Sequence, residues 1–410
     1  MIVATVLAYT SPALGHLLPI GALMAELCSR GHTVHMRTLS GGVAIAKRLG
    51  FTADAIDPRI EAIEMDDWKG RNPIAALKLS AAAFARRAAL EVDDLTEAVA
   101  LVKPDGLIVD VNSWGAFSAA EAGDVRWACV SPYIPPLRSQ GVPPFGLGLR
   151  PLAGPLGAIR DAAVRALVFS GVENVMLPRI NAVRTNVGVA PIASVDEFLR
   201  RSPLMMITTA KPFQYPQTVW GGGVQMIGPC DLDPVEDTEP DWLAAIERPI
   251  VLVTSSSEKQ ADFDLVPTAL SALADEPVHV IATMPAGQRD GVAVPHNATL
   301  SEVLPHGVIL DRAVCAVTHG GMGVTQKALA RGVPVCAVPY GRDQFEVARR
   351  VEVAGCGTRL PARRLSPPRL REKVRQAMKM TDGARRVADG FEAAGGVARG
   401  ADLVEQRVFG

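Results

Sequence analysis

One segment near the end of the chain, residues 313–344, places the strongest constraint on the fold. The apolar run Ala313–Thr318 has the composition of a buried strand, and a glycine-rich turn separates it from a helical stretch, Val324–Arg331. A Gly-Val-Pro sequence at 332–334 then leads into a second apolar strand, Val335–Pro339. Since parallel strands are usually joined by a helix that crosses over, this order predicts a βαβ unit with parallel strands.

The same alternation of apolar runs and helical stretches extends over the whole chain. At 410 residues the chain is too long for one typical core, so we predict an α/β protein with two doubly wound, Rossmann-like domains that face a central cleft. In the first half, strands are expected at Ile2–Ala8, Thr33–Arg37, Phe51–Ile56, Gly106–Val109, Trp127–Val130 and Leu204–Thr208, with helices such as Pro19–Arg30 and Ala75–Val102 between them. In the second half, strands are expected at Pro249–Thr254, Val278–Ala282, Val308–Leu310, Ala316–Thr318, Val335–Val338 and Thr358–Leu360.

The predicted domains are residues 1–220 and 241–410, joined by a linker over 221–240. Three consecutive glycines and a patch of acidic residues distinguish the linker from the flanking segments. These boundaries leave open that the last helix packs back on the N-terminal domain. A proline- and glycine-rich segment, 132–155, interrupts the first domain and is a typical place for the rim of a binding site.

Charge and cysteine usage exclude several classes of protein. The formal net charge is -1, which does not indicate a nucleic-acid surface, and no basic block or run of roughly eighteen apolar residues indicates a membrane protein. The six cysteines form no Cys-x-x-Cys pair, so we expect buried free thiols in a reducing compartment. Because the N-terminus lacks a basic region, it is typical of a first strand and not of a signal peptide. We expect a soluble cytoplasmic protein.

Residues at the carboxyl ends of two neighbouring strands suit a phosphate group followed by hydroxyl groups. They are His319, Gly320, Gly321, Gly323, Asp343 and Gln344. The glycines let the backbone approach a ligand, the helix start attracts an anion, and the histidine can donate a hydrogen bond to a phosphate oxygen. The acid and the amide suit a sugar, since the one accepts hydrogen bonds and the other both accepts and donates them. The alternatives are a tight turn without a ligand and an acid–amide pair that caps the next helix.

This segment resembles the donor-binding signature of family 1 glycosyltransferases of the GT-B fold, especially bacterial enzymes that glycosylate macrolides, antibiotics and other natural products. The signature is His-x-Gly-x-Gly/Asn-Ser/Thr, a helix ending in Gly-Val-Pro, a strand and Asp/Glu-Gln, and it continues here through Phe345–Val351 into 355–357. Upstream, Val303-Leu304-Pro305-His306 resembles the family's Trp/Val-x-Pro-Gln/His segment, which lies against the nucleobase. The resemblance implies a TDP- or UDP-sugar as co-substrate, with no metal.

A histidine between the first strand and the first helix is the candidate general base. His16 lies in the sequence Gly15–Pro19, which resembles the family's Gly-His-x-x-Pro motif, whose histidine deprotonates the acceptor hydroxyl. An imidazole with a pKa near neutrality suits this role. The alternative is that His16 only caps the first helix or packs locally.

An aspartate at the end of another strand is the candidate partner of this base. Asp110 follows Gly106–Val109, and its surroundings resemble the family's Asp-x-x-x-Trp/Phe context, in which the carboxylate orients the histidine and stabilises the imidazolium. The alternative is that Asp110 caps a helix starting near Ser113, although Asn112 would be a better cap.

A serine-rich turn, Thr254–Ser257, follows the first strand of the second domain, where the family has Ser/Thr-x-Gly-Ser/Thr. The resemblance implies that the Ser257 hydroxyl approaches the β-phosphate, and the alternative is a local turn stabilised by serine hydroxyls. The third position departs from the family, because Ser256 replaces glycine and narrows access to the backbone.

Two further departures lie in the helix after the glycine-rich turn. Val324 replaces Ser/Thr and cannot form a hydrogen bond, so Thr325 or backbone N–H groups would serve the phosphate. Lys327 replaces a glutamate that binds the ribose hydroxyls in the family. The lysine cannot accept those hydrogen bonds, and it is expected either to pair with a phosphate or a sugar carboxylate or to point to solvent.

The resemblance implies an inverting hexosyl transfer from the nucleotide to a hydroxyl of a small apolar acceptor, with Trp114, Tyr133 and the loop 132–144 as walls of the acceptor site. A non-catalytic sugar-nucleotide-binding partner of another transferase, indicated by Val324 and Lys327, and a nucleotide-sugar epimerase stay open as alternatives. A dinucleotide-dependent oxidoreductase has the least support, because neither domain's first strand is followed by Gly-x-Gly-x-x-Gly. The oligomeric state also stays open, with a homodimer among the alternatives.

Overall fold

Two β-sheets with only parallel strands organise the chain. The computed structural model describes residues 3–235, 239–287 and 289–410. In these residues the first sheet contains β1 (Thr5–Tyr9), β2 (Thr33–Thr38), β3 (Thr52–Ala55), β4 (Gly106–Asp110), β5 (Trp127–Ser131), β6 (Met205–Ile207) and β7 (Val224–Met226). The second contains β8 (Ile250–Thr254), β9 (His279–Thr283), β10 (Ala298–Ser301), β11 (Ala313–Thr318), β12 (Val335–Ala337) and β13 (Gly357–Arg359).

Helices connect the strands and cover both faces of each sheet. Those of the first half are α1 (Leu14–Ser29), α2 (Val43–Arg48), α3 (Pro58–Glu61), α4 (Pro73–Val102), α5 (Trp114–Ala122), α6 (Gly154–Val164), α7 (Ser170–Asn186) and α8 (Val195–Arg200). Those of the second half are α9 (Asp241–Ala244), α10 (Leu265–Leu273), α11 (His306–Leu310), α12 (Met322–Ala330), α13 (Gln344–Val353), α14 (Pro367–Ala377), α15 (Thr381–Ala394) and α16 (Gly396–Val404). The prediction of two doubly wound α/β domains is confirmed.

The strand order fixes where a ligand can bind. The first sheet has the order β3-β2-β1-β4-β5-β6-β7, and the second has the order β10-β9-β8-β11-β12-β13. The direction of winding therefore reverses between β1 and β4 and between β8 and β11, which pair directly in parallel. In open α/β sheets, ligands bind beyond the carboxyl ends of the strands at such a switch point.

The central strands are buried on both faces, which explains their continuous apolar sequences. Every residue of β4, β5 and β8 is buried. Successive side chains of β1 point to opposite faces of the sheet. Val6 and Ala8 pack in the core cluster on one face, and Leu7 and Tyr9 pack in the cluster on the other.

One predicted strand is wrong. Val308–Leu310 belongs to helix α11, and the edge strand that pairs with β9 is β10, which the sequence did not predict. A run of three apolar residues fits a buried helix as well as a strand, and here the carboxylate of Asp233 accepts hydrogen bonds from the N–H groups of His306 and Gly307 at the helix start. All four residues of β10 are only half-buried, so it lacked an apolar signal.

The first sheet continues into the predicted linker. Strand β7 pairs with β6, so we propose that the N-terminal domain ends after Met226 and that the linker begins there. Residues 236–238 of that linker, and Ile2 of the predicted first strand, lie outside the described residues. The last helix packs back on the N-terminal domain: Ala401 and Val404 lie in the same apolar cluster as α1.

The cysteine prediction is confirmed in its main part. All six cysteines are free, and five of them are buried, whereas Cys28 is half-buried. In the part of the chain that the structure describes, no helix combines the length and the apolar character needed to cross a bilayer.

Candidate active site

His16 lies in the first turn of α1, just beyond the carboxyl end of β1. The N-cap residue of this helix is Ala13, and no side chain caps it, so the alternative that His16 caps the helix is wrong. The His16 imidazole is directed toward the neighbouring strand instead, where its Nδ1 lies 2.8 Å from Oδ1 of Asp110. About a sixth of the side chain, 16%, stays exposed. The ring is therefore not fully buried.

Asp110, the last residue of β4, is fully buried, and both of its oxygens accept hydrogen bonds. Oδ2 accepts from the N–H and the hydroxyl of Ser11 at 2.8 and 2.6 Å, and Oδ1 accepts from the N–H of Asn112 at 3.0 Å. Helix α5 has Ser113 as its N-cap residue, so Asp110 does not cap it. Because an ionised carboxylate only accepts hydrogen bonds, Nδ1 of His16 donates to Asp110 and Nε2 keeps its lone pair.

The pKa values of His16 and Asp110 are shifted in opposite directions by their surroundings. Burial alone would lower the pKa of His16, but the carboxylates of Asp110, Asp343 and Glu258 outweigh it and raise that pKa above its ordinary value. Burial likewise opposes ionisation of Asp110, yet His16 and the hydrogen bond from Ser11 hold the pKa of Asp110 below its ordinary value. Asp110 is therefore an anion that stabilises a protonated His16.

Two polar side chains extend the pair on the side away from Asp110. Nδ2 of Asn112 lies 3.2 Å from Nε2 of His16, and the hydroxyl of Tyr133 donates to Oδ1 of Asn112 at 2.9 Å. The ring centroids of Tyr133 and His16 are 5.9 Å apart. Tyr133 therefore lies beside the candidate base, where the sequence predicted an acceptor wall.

The other candidate residue of the acceptor wall has a different environment. Trp114 is 5% exposed and lies in the apolar core, with its ring centroid 5.0 Å from that of Phe84 in α4. The structure therefore brings His16, Asp110 and Tyr133 together but leaves Trp114 behind them. The loop 132–144 follows β5 directly and is largely buried along its length.

In the second domain, the glycine-rich turn connects β11 to α12, which begins at Met322, two residues earlier than predicted. Gly320 has a left-handed backbone, with φ of +87°, and a Cβ atom added to Gly321 would collide with the His319 ring. The turn therefore requires glycine at both positions. Among the described residues, neither Nδ1 of His319 nor Oγ1 of Thr325 has a hydrogen-bond partner, although both atoms are buried. Such atoms suit a ligand that supplies the missing partners.

His319 is neutral in this environment. Burial lowers its pKa, and the Arg342 guanidinium lowers it further, while Asp262, 3.9 Å away, only partly opposes the two. A neutral imidazole offers one N–H donor, which is what a hydrogen bond to a phosphate oxygen requires.

The serine-rich turn is a local hydrogen-bonded structure. Oγ of Ser256 accepts from the N–H of Glu258 at 3.0 Å and from Nε2 of Gln260 at 2.7 Å, and the Ser256 N–H donates to Asp262 at 2.7 Å. The extra hydroxyl thus stabilises the turn, and the Ser257 side chain is exposed. The next helix is α10, which starts only at 265.

Asp343 and Gln344 differ in how much of their side chains is available. Asp343 is half-buried and makes no capping hydrogen bond at the start of α13, so the capping alternative is not found. Burial raises the pKa of Asp343, while the charges of Arg342 and His16 oppose the rise. Oε1 of Gln344 accepts from the N–H groups of Tyr340 and Gly341 at 2.8 and 3.0 Å, and its Nε2 donates to Gln260.

Val324 and Lys327, the two residues of α12 that depart from the family signature, both contact other parts of the protein. The sequence left open that Lys327 points to solvent, but the structure places its Nζ 2.8 and 2.7 Å from the carboxylates of Asp231 and Asp233 in the linker. The side chain of Val324 packs against the core. Val303, in the segment before α11, is 39% exposed.

Comparisons with known proteins agree with this architecture. A family model described as the C-terminal domain of erythromycin biosynthesis protein CIII-like proteins matches residues 268–395. The 4'-demethylrebeccamycin synthase of Lentzea aerocolonigenes is 30% identical over an alignment of 421 positions, gaps included, which covers 98% of this chain and 99% of the relative. The chain belongs to family 1 of the glycosyltransferases. It is an enzyme and groups with the glycosyltransferases of natural-product and antibiotic biosynthesis.

Solved structures confirm that the glycosyltransferase has the GT-B fold. The glycosyltransferase of kitacinnamycin superposes with a TM-score of 0.77 at 21% identity, over 100% of both chains. The glycosyltransferase VinC in complex with DTDP superposes with a TM-score of 0.68 at 19% identity, over 98% of this chain and 99% of that one.

Several residues that the glycosyltransferase places at the cleft were not predicted from the sequence. Ser11 and Asn112 both bond to Asp110, and their position at strand ends was a usable signal, but Asn112 was weighed only as a helix cap. Arg342 binds Asp67 of the other domain, and no local pattern could have paired two residues so far apart in the chain.

Proposed function

We propose that this glycosyltransferase transfers a sugar from a TDP- or UDP-linked donor to a hydroxyl of a small apolar natural product, with inversion at the anomeric carbon. Similarity to 4'-demethylrebeccamycin synthase over nearly the whole chain supports the class of acceptor. The likeness in fold to VinC, whose structure contains DTDP, supports a thymidine nucleotide. The observation on which the proposal chiefly depends is the His16–Asp110 pair, which is electrostatically coupled to Asp343 of the other domain.

In this mechanism His16 is the general base. Its Nε2 removes the proton of the acceptor hydroxyl as the oxygen attacks the anomeric carbon on the face opposite the phosphate, and Asp110 stabilises the resulting imidazolium. The new carbon–oxygen bond forms while the bond from the anomeric carbon to the phosphate oxygen breaks, so the nucleoside diphosphate leaves with the electron pair. Backside attack of this kind inverts the configuration of the sugar.

The departing diphosphate requires groups that stabilise negative charge. The N–H groups at the start of α12, the N–H donor of neutral His319 and the unpartnered hydroxyl of Thr325 are suited to this role. The exposed hydroxyl of Ser257 would approach the β-phosphate. These dipoles are fixed by the fold before the reaction begins, so the charge develops in a prepared environment.

The remaining contacts would orient the sugar, the base and the acceptor. Asp343 would accept hydrogen bonds from sugar hydroxyls, and Gln344 would exchange its bond to Gln260 for one to the sugar. Val303 would lie against the nucleobase. The acceptor would lie against Tyr133 and the loop 132–144, with Trp114 supporting this wall from the core.

The first test is calorimetric titration of the wild type and of His319→Ala with TDP, UDP and GDP. We expect one of the three nucleotides to bind the wild type with micromolar affinity and to bind His319→Ala more weakly. The nucleotide that binds identifies the base of the donor. No binding of any of the three would contradict the proposed donor site.

The second test is turnover with the donor so identified and a panel of hydroxylated aromatic and macrocyclic acceptors. We expect His16→Ala to lower kcat by at least roughly a hundredfold, the usual size of general-base effects, while His296→Ala, a histidine at the surface, keeps wild-type turnover. NMR of the product should show the opposite anomeric configuration to the donor. Near-wild-type turnover of His16→Ala, or retained configuration, would overturn the mechanism.

A further inference from the structure

The atom of His16 that takes the proton is already in contact with another side chain. Nδ2 of Asn112 lies 3.2 Å from Nε2 of His16, on the side opposite Asp110. Asn112 follows Asp110 by two residues, and its N–H bonds to the same carboxylate. One strand end therefore supplies the group that orients the imidazole and a second polar group at its reactive nitrogen.

The orientation of the Asn112 amide follows from its two neighbours. In the neutral imidazole, which is the form that acts as a base, Nδ1 of His16 donates to Asp110 and Nε2 has only a lone pair, so only the NH₂ end of the amide can form a hydrogen bond to it. Oδ1 then faces the hydroxyl of Tyr133, which donates to it at 2.9 Å. The chain Tyr133–Asn112–His16–Asp110 thus has one consistent set of donors and acceptors.

We propose that Asn112, held by Tyr133, positions the acceptor hydroxyl at His16. The inference depends on the proposed function, since it assumes that His16 is the base. When the acceptor binds, Nδ2 of Asn112 leaves Nε2 and donates instead to one of the two lone pairs of the hydroxyl oxygen, and the freed lone pair of Nε2 accepts the hydroxyl proton. The second lone pair is then free to attack the anomeric carbon.

Asn112 also affects the basicity of His16. A hydrogen bond donated to the Nε2 lone pair stabilises the neutral imidazole, whereas the charged groups around His16 stabilise its protonated form. Those groups are Asp110 from β4 and, from the second domain, Asp343 and Glu258. Asn112 therefore opposes the effect of three carboxylates on the pKa of His16. It keeps a larger fraction of His16 in the neutral form, which accepts a proton.

The test compares Asn112→Ala, Asn112→Asp and Tyr133→Phe with the wild type. We expect Asn112→Ala to lower kcat/KM for the acceptor about tenfold, which is the size of one lost hydrogen bond, and nucleotide affinity to stay as in the wild type. The acidic limb of the pH profile of kcat/KM should move to higher pH in Asn112→Ala and further in Asn112→Asp, whose carboxylate stabilises the imidazolium. Tyr133→Phe should move it in the same direction, because the freed amide can turn its oxygen to Nε2.

The outcomes separate this inference from the proposed function. If the wild type transfers no sugar, or His16→Ala retains turnover, the proposed function fails. If the wild type is active and depends on His16, but the Asn112 variants keep the acceptor KM and the acidic limb of the wild type, the positioning role is refuted. A loss of activity in all three variants without any shift of the acidic limb indicates a structural role only and also refutes it.

Discussion

Arg342 and Asp67 form a two-point ion pair that joins the two domains across the cleft. Nε and Nη2 of the guanidinium each lie 2.8 Å from a different oxygen of the carboxylate. Arg342 has a left-handed backbone, with φ of +51°, which is uncommon for a residue with a side chain, and Asp343 follows it directly. Beside the pair, the rings of Trp68 and Phe263 meet edge to face, with centroids 6.3 Å apart. The N-terminal domain therefore contacts the segment that is proposed to hold the sugar.

Breaking this ion pair is expected to uncouple sugar transfer from donor hydrolysis. Because domain closure excludes water, which competes with the acceptor, Asp67→Asn should raise the fraction of donor that is hydrolysed several-fold. Arg342→Lys, which cannot form two parallel bonds, should do the same to a smaller extent. The measurement is the ratio of free sugar to glycosylated product, with Arg59→Lys as control, because this arginine is exposed and its ion pair with Asp57 lies within the N-terminal domain. Unchanged ratios in both cleft variants would show that this pair does not control closure.

The pH dependence of turnover should report the pair of His16 and Asp110. A base must be neutral to act, and the pKa of His16 lies above its ordinary value of 6.5, so kcat/KM should fall as the pH is lowered through a midpoint above 6.5. Asp110→Asn removes the nearest charge that raises this pKa, so the midpoint should move to lower pH and kcat should also fall. An acidic limb that stays in place in Asp110→Asn would mean that another group titrates.

The site was predictable from sequence where its residues lie at the ends of strands that have strong apolar signals. His16 and Asp110 are far apart in the chain, but the parallel pairing of β1 with β4 brings them together, and that pairing follows from the strand order typical of such sheets. Contacts between the domains had no such signal. The bond of Arg342 to Asp67 depends on how two separately folded units meet, and the fate of Lys327 depends on a linker without regular periodicity.

Substitution of Gly321 should weaken nucleotide binding. A Cβ atom at this position would collide with the His319 ring, so Gly321→Ala must displace the proposed phosphate donor. We expect affinity for the preferred nucleotide to fall at least roughly tenfold, the equivalent of one lost hydrogen bond to a charged group. Gly171→Ala is the matched control, because the same added atom meets nothing within 4 Å in α7. Equal nucleotide affinity of Gly321→Ala and Gly171→Ala in calorimetry would contradict the assignment of the turn.

Glu346 should be important for stability because it links the loop of the first domain to α13. It is buried and accepts hydrogen bonds from the N–H groups of Gly146 and Gly148 at 2.9 and 2.8 Å and from Arg350 at 2.8 Å. Glu346→Ala leaves a buried guanidinium without its charge partner, so the free energy of unfolding should fall by about 3 kcal/mol. Glu352→Ala, on the exposed side of the same helix, should cost less than about 1 kcal/mol. Urea denaturation of the two variants measures the difference, and equal losses would contradict the proposed link.

Glu91 should make the stability of the protein depend on pH. It is buried in α4 and accepts a hydrogen bond from the N–H of Gly115 at 2.9 Å. Burial raises the pKa of Glu91 to about 8 from an ordinary value of 4.5, against the opposing effects of Gly115 and Arg87. Between these two values the folded chain binds more protons than the unfolded chain, so the contribution of Glu91 to stability is lost as the pH rises through the window.

Glu91→Gln removes this titration while keeping an acceptor for Gly115. The free energy of unfolding of the variant, minus that of the wild type, should therefore increase with pH across the window, by at most about 1.4 kcal/mol per pH unit. Glu97→Gln, at an exposed position of the same helix, should give a difference that does not change with pH. If the difference for Glu91→Gln is equally flat in urea denaturation, Glu91 is ionised in the folded chain, and the carboxylate must be stabilised by the start of α5 more strongly than burial opposes it.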